Sequence, residues 1–157
     1  MIAARNGGTT AEAVAAITAR GGAAVGVTCD VNVCADLEAA VGRCVSEYGG
    51  LGILVNNAGI ERGGPAQTLT EEDWQLVIAT NLSSLLWASQ VAYPQRKDGG
   101  RGKVINIASE YSRFGNPRGI SYGSSKGGVV QFTKSLTVSW AADGIQVDAI
   151  VPGGDHD

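Results

Sequence analysis

Gly52-Ile53-Leu54-Val55 is apolar at consecutive positions instead of alternate ones, and it runs straight into Asn56-Asn57-Ala58-Gly59. A strand with one wet face alternates apolar and polar residues. An unbroken apolar strand is dry on both faces, the condition of a parallel sheet with helices above and below. Further strands are expected at 2–4, 24–28, 103–107 and 146–150, with stretches of helical spacing between them. Such alternation implies an α/β chain with a doubly wound parallel sheet and helices on both faces.

The helices are expected at 10–20, at 34–48, from Thr70 toward Pro94, and at 121–142. Thr9 and Thr10 read as the cap of the first, and Gly21-Gly22 as its stop. Val33, Leu37, Ala40, Val41, Cys44 and Val45 form an apolar stripe on the second, which Gly49-Gly50 closes. Thr70 caps the third, with Asp73 in the reciprocal position. Pro94 ends or kinks that helix.

At 157 residues the chain fits a single domain, 1–157, large enough to bury about 68 to 70 % of its extended surface. Net charge is −3, and the one basic cluster, at 96–103, lacks aromatic neighbours. It reads as a solvated turn, so no nucleic-acid partner is expected. No apolar run approaches about 18 residues, so no membrane span is expected. Cys29, Cys34 and Cys44 match neither a redox pair nor a zinc pattern. Their odd count, with no signal segment, points to the reducing cytoplasm. His156 is the only histidine, which leaves little material for a metal site or a serine-histidine triad.

Tyr122 and Lys126 stand four residues apart, and Ser109 precedes the tyrosine by 13 at the end of the 104–108 apolar run. A phenol titrates near pH 10 in water, so it serves as acid or base at neutral pH only beside a cation that favours its ionised form. On a helix, positions i and i+4 share a face, which places Lys126 to act on Tyr122. Ser109 can reach the same cleft from a strand end.

Taken with Asn56-Asn57-Ala58-Gly59, Thr80-Asn81-Leu82 and the run 144–153, this set resembles the short-chain dehydrogenase/reductases, in the family's order and over 2–153. The nearest likeness is to the glucose 1-dehydrogenase and 3-oxoacyl reductase types. The resemblance implies a Rossmann-like fold and hydride transfer between NAD(P) and a secondary alcohol or ketone. It makes Tyr122 the general acid or base, Lys126 its activator and a ribose ligand, and Ser109 a hydrogen-bonding partner of the substrate oxygen. Asn81 would fix a relay water through its backbone carbonyl, the alternative being an asparagine satisfied locally. Asp30 and Val31 would grip adenine, unless Asp30 is a plain helix-approach cap. Asn57, Ala58 and Gly59 would line the adenosine ribose, and Pro152 and Gly153 complete the cofactor set. Arg5 after the neutral Ala4 suits a 2′-phosphate, favouring NADP over NAD. The two long helices would pair in a homodimer or homotetramer, with Trp87, Phe132 and Trp140 in the seam or else in the intrachain core.

The sequence also departs from the family pattern. The first strand, its Thr-Gly-x-x-x-Gly-x-Gly turn and the following helix have no counterpart, and Gly7-Gly8 is no substitute. After Pro152-Gly153 the substrate loop and last strand are likewise missing. Asp155 stands where relatives carry a small apolar residue, Asp148 where they carry asparagine, and Gly52 where aspartate is common. The missing strand is the centre of the family's sheet, and unpaired buried amides cost about 1 to 3 kcal/mol each against a total stability of about 5 to 15. Three resolutions follow: the 2–4 strand closes against the 52–55 strand, another chain supplies the element, or the sequence is part of a longer protein. The last is expected. Weak or no dinucleotide affinity is expected of the isolated chain, and the alternative function is an inert, truncated relative acting through assembly. Substrate contacts are expected from the loops 59–66 and 110–119.

Overall fold

A computed structural model describes residues 1–97 and 102–153. Its elements are β1 Ile2–Ala4, α1 Gly7–Ala19, β2 Gly26–Thr28, α2 Cys34–Tyr48, β3 Ile53–Asn56, α3 Glu71–Ile78, α4 Ser84–Lys97, β4 Lys103–Ile107, α5 Ile120–Trp140 and β5 Gln146–Ile150. Every strand pair is parallel. The basic cluster at 96–103 falls partly, and Asp155 and His156 wholly, outside the described residues.

Local chemistry sets most boundaries. α2 occupies its expected span and stops at Gly49, whose φ of 74° places it in the left-handed region that glycine enters without strain. Thr70 caps α3 as expected, its hydroxyl accepting from the Asp73 amide at 3.1 Å. The start of α1 is a correction. Asn6 is the cap, accepting from the amides of Gly8 at 2.9 Å and Thr9 at 3.2 Å. Thr10 instead lies buried one turn in, donating to the Asn6 carbonyl at 2.8 Å. Asparagine outcompetes threonine here because its longer side chain reaches both free amides. Pro94 does not end its helix, which continues to Lys97.

The sheet is in two pieces. β1 pairs only with β2, while β3, β4 and β5 form a second sheet in that order. Of the three resolutions, closure of the 2–4 strand against β3 does not occur, and Ile53 and Val55 on β3 remain 55 % and 52 % exposed. A cavity of about 590 Å³ lies between the sheets, bordered by Ala3, Arg5 and Cys29 on one side and Ile53 and Val55 on the other. An apolar cluster reaches both sheets. Leu37 and Ala40 of α2 meet Ala88 of α4 in one apolar cluster, which Val27 of β2 and Leu54 of β3 join from either sheet. Sliding β1 toward β3 would break that cluster.

Behind β4 and β5 a second cluster unites Val104, Leu136, Ile145 and Val147 with Phe132 and Trp140. Trp140 also packs on Tyr93, with ring centroids 5.0 Å apart. Phe132 and Trp140, both partly buried, pack against the intrachain core, whereas Trp87 is exposed.

Candidate active site

β4 delivers the chain to Ser109, whose backbone is extended and opens a short 3-10 turn, Glu110–Ser112. The Ser109 hydroxyl accepts from the Tyr111 amide at 3.3 Å, and its carbonyl accepts from the Ser112 hydroxyl. These contacts fix the serine at the C-terminal end of the sheet, where parallel α/β folds present ligand-binding groups.

α5 starts opposite. Tyr122 and Lys126 lie one turn apart, and the Lys126 ammonium stands 5.5 Å from the Tyr122 ring centroid. Lys126 is only 4 % exposed, and its Nζ donates to the Ile107 carbonyl at 2.6 Å. Burial pushes the ammonium's pKa down from its ordinary 10.5. Tyr111 presents its ring edgewise to Tyr122 at 6.3 Å. Ser109, Tyr122 and Lys126 share one open cavity of about 550 Å³ with Asn57, Gly59 and Pro152, and Gly153 also borders it.

Asn81 is fully buried in a π-helical segment, Ala79–Ser83, that joins α3 to α4. Such segments recur at functional sites because they shift the side chains that follow. Its amide donates to the Ile60 carbonyl at 2.8 Å and to the Ser125 hydroxyl at 3.1 Å, and its oxygen accepts from the Ile60 amide at 2.8 Å. The asparagine is satisfied, but across the fold instead of locally. It fastens the loop after Gly59 to α5. A Cβ at Gly59 would stand 3.5 Å from Asn81 Oδ1 and 3.7 Å from Lys126 Nζ, so both groups face that glycine.

The remaining expected cofactor residues gather at the larger cavity. Arg5, Val31, Asn57, Ala58 and Gly59 border it, and Asn57, Gly59 and Ile60 are common to both cavities. The Asn57–Ile60 segment thus borders both cavities. Asp30 Oδ1 accepts from the Asn32 amide at 2.9 Å and the Asn32 side chain at 3.1 Å, building the turn into α2. Beside it, burial first, then Asp36 and Asp30, push the Cys29 thiol up.

One group went unread in the sequence. Asn56 donates to Asn106 at 2.8 Å, and Asn106 donates to the Thr133 hydroxyl at 3.0 Å, joining β3, β4 and α5 in a buried chain. Asn106, a polar residue between Ile105 and Ile107, was its only signal in that strand. Among the described residues, no cluster of three or more His, Cys, Asp or Glu can hold a metal, and no helix is long and apolar enough to cross a membrane.

A family model described as short chain dehydrogenase matches residues 1–155. The 2-dehydro-3-deoxy-D-gluconate 5-dehydrogenase of Escherichia coli (strain K12) is 38 % identical over 143 residues, covering 90 % of this chain and 56 % of that protein. The D-threitol dehydrogenase of Mycolicibacterium smegmatis is 36 % identical over 131 residues, covering 83 % of this chain and 50 % of that protein. A solved gluconate 5-dehydrogenase from Burkholderia cenocepacia J2315, in complex with NADP and tartrate, matches with a TM-score of 0.90 at 33 % identity, over 97 % of this chain and 60 % of that one. The chain thus spans about half the length of the curated relatives it matches.

Proposed function

The chain belongs to the short-chain dehydrogenase family, and on that premise we propose that it is part of a nicotinamide-dependent oxidoreductase interconverting secondary alcohols and ketones. The observation that carries the reading is the meeting of Ser109, Tyr122 and Lys126 in one cavity, with the ammonium 5.5 Å from the phenol ring. Tyr122 gives its proton to the carbonyl oxygen in reduction and takes it back in oxidation. Lys126 sets its positive charge beside the phenol, 5.5 Å from the ring centroid. Ser109 hydrogen-bonds the same substrate oxygen. Asn81 holds the Gly59–Ile60 backbone against α5, and so keeps the cofactor side of the cavity in register with Tyr122.

The residues present fit the two nucleoside ends of a nicotinamide dinucleotide. Arg5, Val31, Ala58 and Asn57 border the larger cavity, and Lys126 and Tyr122 the smaller. When bound, that cofactor supplies or accepts the hydride. Gly7-Gly8 offers the pyrophosphate nothing, since Asn6 already occupies the Gly8 and Thr9 amides. Arg5 next to Ala4 favours NADP, in keeping with the NADP complex of the Burkholderia relative. The substrate is a small alcohol or carbonyl compound of the sugar, polyol or 3-oxoacyl type. Residues 1–157 form part of one Rossmann-like domain that assembles as a homodimer or homotetramer in the cytoplasm.

A second reading, an inert relative acting only through assembly, draws on the exposed Ile53 and Val55 and the open cavity beside them. Nicotinamide fluorescence titrated with NADPH and NADH, followed by assay against sugars, polyols and β-keto esters, separates the two. Saturable binding with turnover supports the enzyme. Failure of both cofactors to bind at millimolar concentration supports the inert reading.

A further inference from the structure

No strand ladder joins the two sheets, so the placement of the β2 end relative to the β3–β5 half rests on other contacts. Val31, in the turn after β2, and Thr80, in the π-helical segment between α3 and α4, both border the larger cavity. The Asn32 side chain ties these two segments together. Its amide nitrogen donates to the Thr80 hydroxyl at 3.1 Å and to Asp30 Oδ1 at 3.1 Å, which employs both of its hydrogens. Each end of the tie is itself anchored: the Asp30 amide donates to the Asp36 carboxylate of α2 at 2.8 Å, and the Thr80 carbonyl accepts from the Ser84 hydroxyl at 2.6 Å. Thr80 is 3 % exposed and directly precedes Asn81, which fastens the backbone of Ile60 to α5.

We infer that Asn32 is a positioning residue: bonded to both Asp30 and Thr80, it holds the Asp30–Val31 turn against the π-helical segment and so sets the larger cavity's affinity for the adenosine half of the dinucleotide. The inference rests on the oxidoreductase reading and adds a residue to it. Asn32 lies outside the described lining of the cavity, so it acts through the residues it holds. Val31 borders the cavity but has no polar side chain with which to fix the turn. A turn left loose must be ordered when a ligand arrives, and that ordering weakens binding. One neutral hydrogen bond is worth about threefold to tenfold in an equilibrium constant. Asparagine suits the position because one amide nitrogen reaches two acceptors; alanine would reach neither, and aspartate would face Asp30 with like charge.

The test measures binding of AMP, 2′,5′-ADP and NADPH to the full protein by titration calorimetry. Asn32→Ala, at an exposed position, and Thr80→Val, which keeps the shape of threonine and removes its hydroxyl, should each weaken binding by about threefold to tenfold. The double variant should match Asn32→Ala alone, since that change already cuts the shared bond. Thr80→Ser keeps the hydroxyl and should bind as the unmodified protein does, a rescue that a packing role would not give. In turnover the loss should fall on KM for NADPH, with kcat changed by under about twofold. Without ligand, the Asn32 and Val33 amides, both bonded to Asp30, should exchange faster in Thr80→Val. Affinities unmoved in Asn32→Ala, or a loss in Thr80→Ser as large as in Thr80→Val, overturn the inference alone. Nucleotide binding that weakens as expected, without turnover of any alcohol or ketone, overturns the oxidoreductase reading alone. Failure of all three nucleotides to bind the unmodified protein overturns both.

Discussion

The Lys126 ammonium donates to the carbonyl oxygen of Ile107 at 2.6 Å, tying the middle of one catalytic-face helix to the last residue of β4. That bond spends one of the three donors a lysine carries and leaves two for ligands. It also fixes the height of the charge beside Tyr122.

A buried ammonium makes stability depend on pH. Burial lowers the Lys126 pKa in the folded chain below its ordinary 10.5, so the unfolded chain binds the extra proton more readily. Stability should therefore rise with pH between the lowered value and 10.5, and lie level at its lower value below that window. Urea midpoints measured across alkaline pH should show this rise in the unmodified protein and lose it in Lys126→Met. Identical slopes for the two would show that the lysine is not buried in solution.

Asn81→Ala should destabilise the fold by about 3 kcal/mol. It strands the amide and carbonyl of Ile60, each of which costs about 1 to 3 kcal/mol if left without a partner. Hydrogen exchange at Ile60 should accelerate in the same variant while that of β5 keeps pace with global stability. Unchanged exchange at Ile60 would mean the loop is held by something else.

The pair Asn56 and Asn106 invites a double-mutant cycle. Asn106→Leu leaves the Asn56 amide buried and unpaired, at about 2 kcal/mol. Changing both to leucine removes the orphan, so the double variant should be more stable than the two single costs added together predict. Simple additivity in denaturant midpoints would argue that the bond contributes nothing.

The parallel architecture was legible because each strand declared itself without knowledge of its neighbours: an unbroken apolar run such as 52–55, closed by glycine or asparagine. The spans of α2, β4 and β5 were read correctly for the same reason, since their signals lie within the elements themselves. What failed depends on distance. Which partner the 2–4 strand takes depends on segments far from it in sequence, and β1 pairs only with β2. The side-chain partners of Asn81, 21 and 44 residues away, leave no trace in its own segment, so its tie between the loop after Gly59 and α5 could not be read there. The bonds from Asn32 to Asp30 Oδ1 lie within two residues, in keeping with the helix-approach cap weighed for Asp30 beside its adenine role. Tyr122 and Lys126 were the easiest to find, because helical spacing of four residues is itself a statement of proximity.

The decisive measurement is the rate of ketone-dependent NADPH oxidation by Tyr122→Phe beside the unmodified protein, with urea midpoints confirming equal folding. Removing the phenol oxygen should lower kcat by about 10² to 10⁴-fold, the span of a general acid, while stability changes by under about 0.5 kcal/mol. A variant that turns over at the unmodified rate would contradict the assignment of the proton to Tyr122.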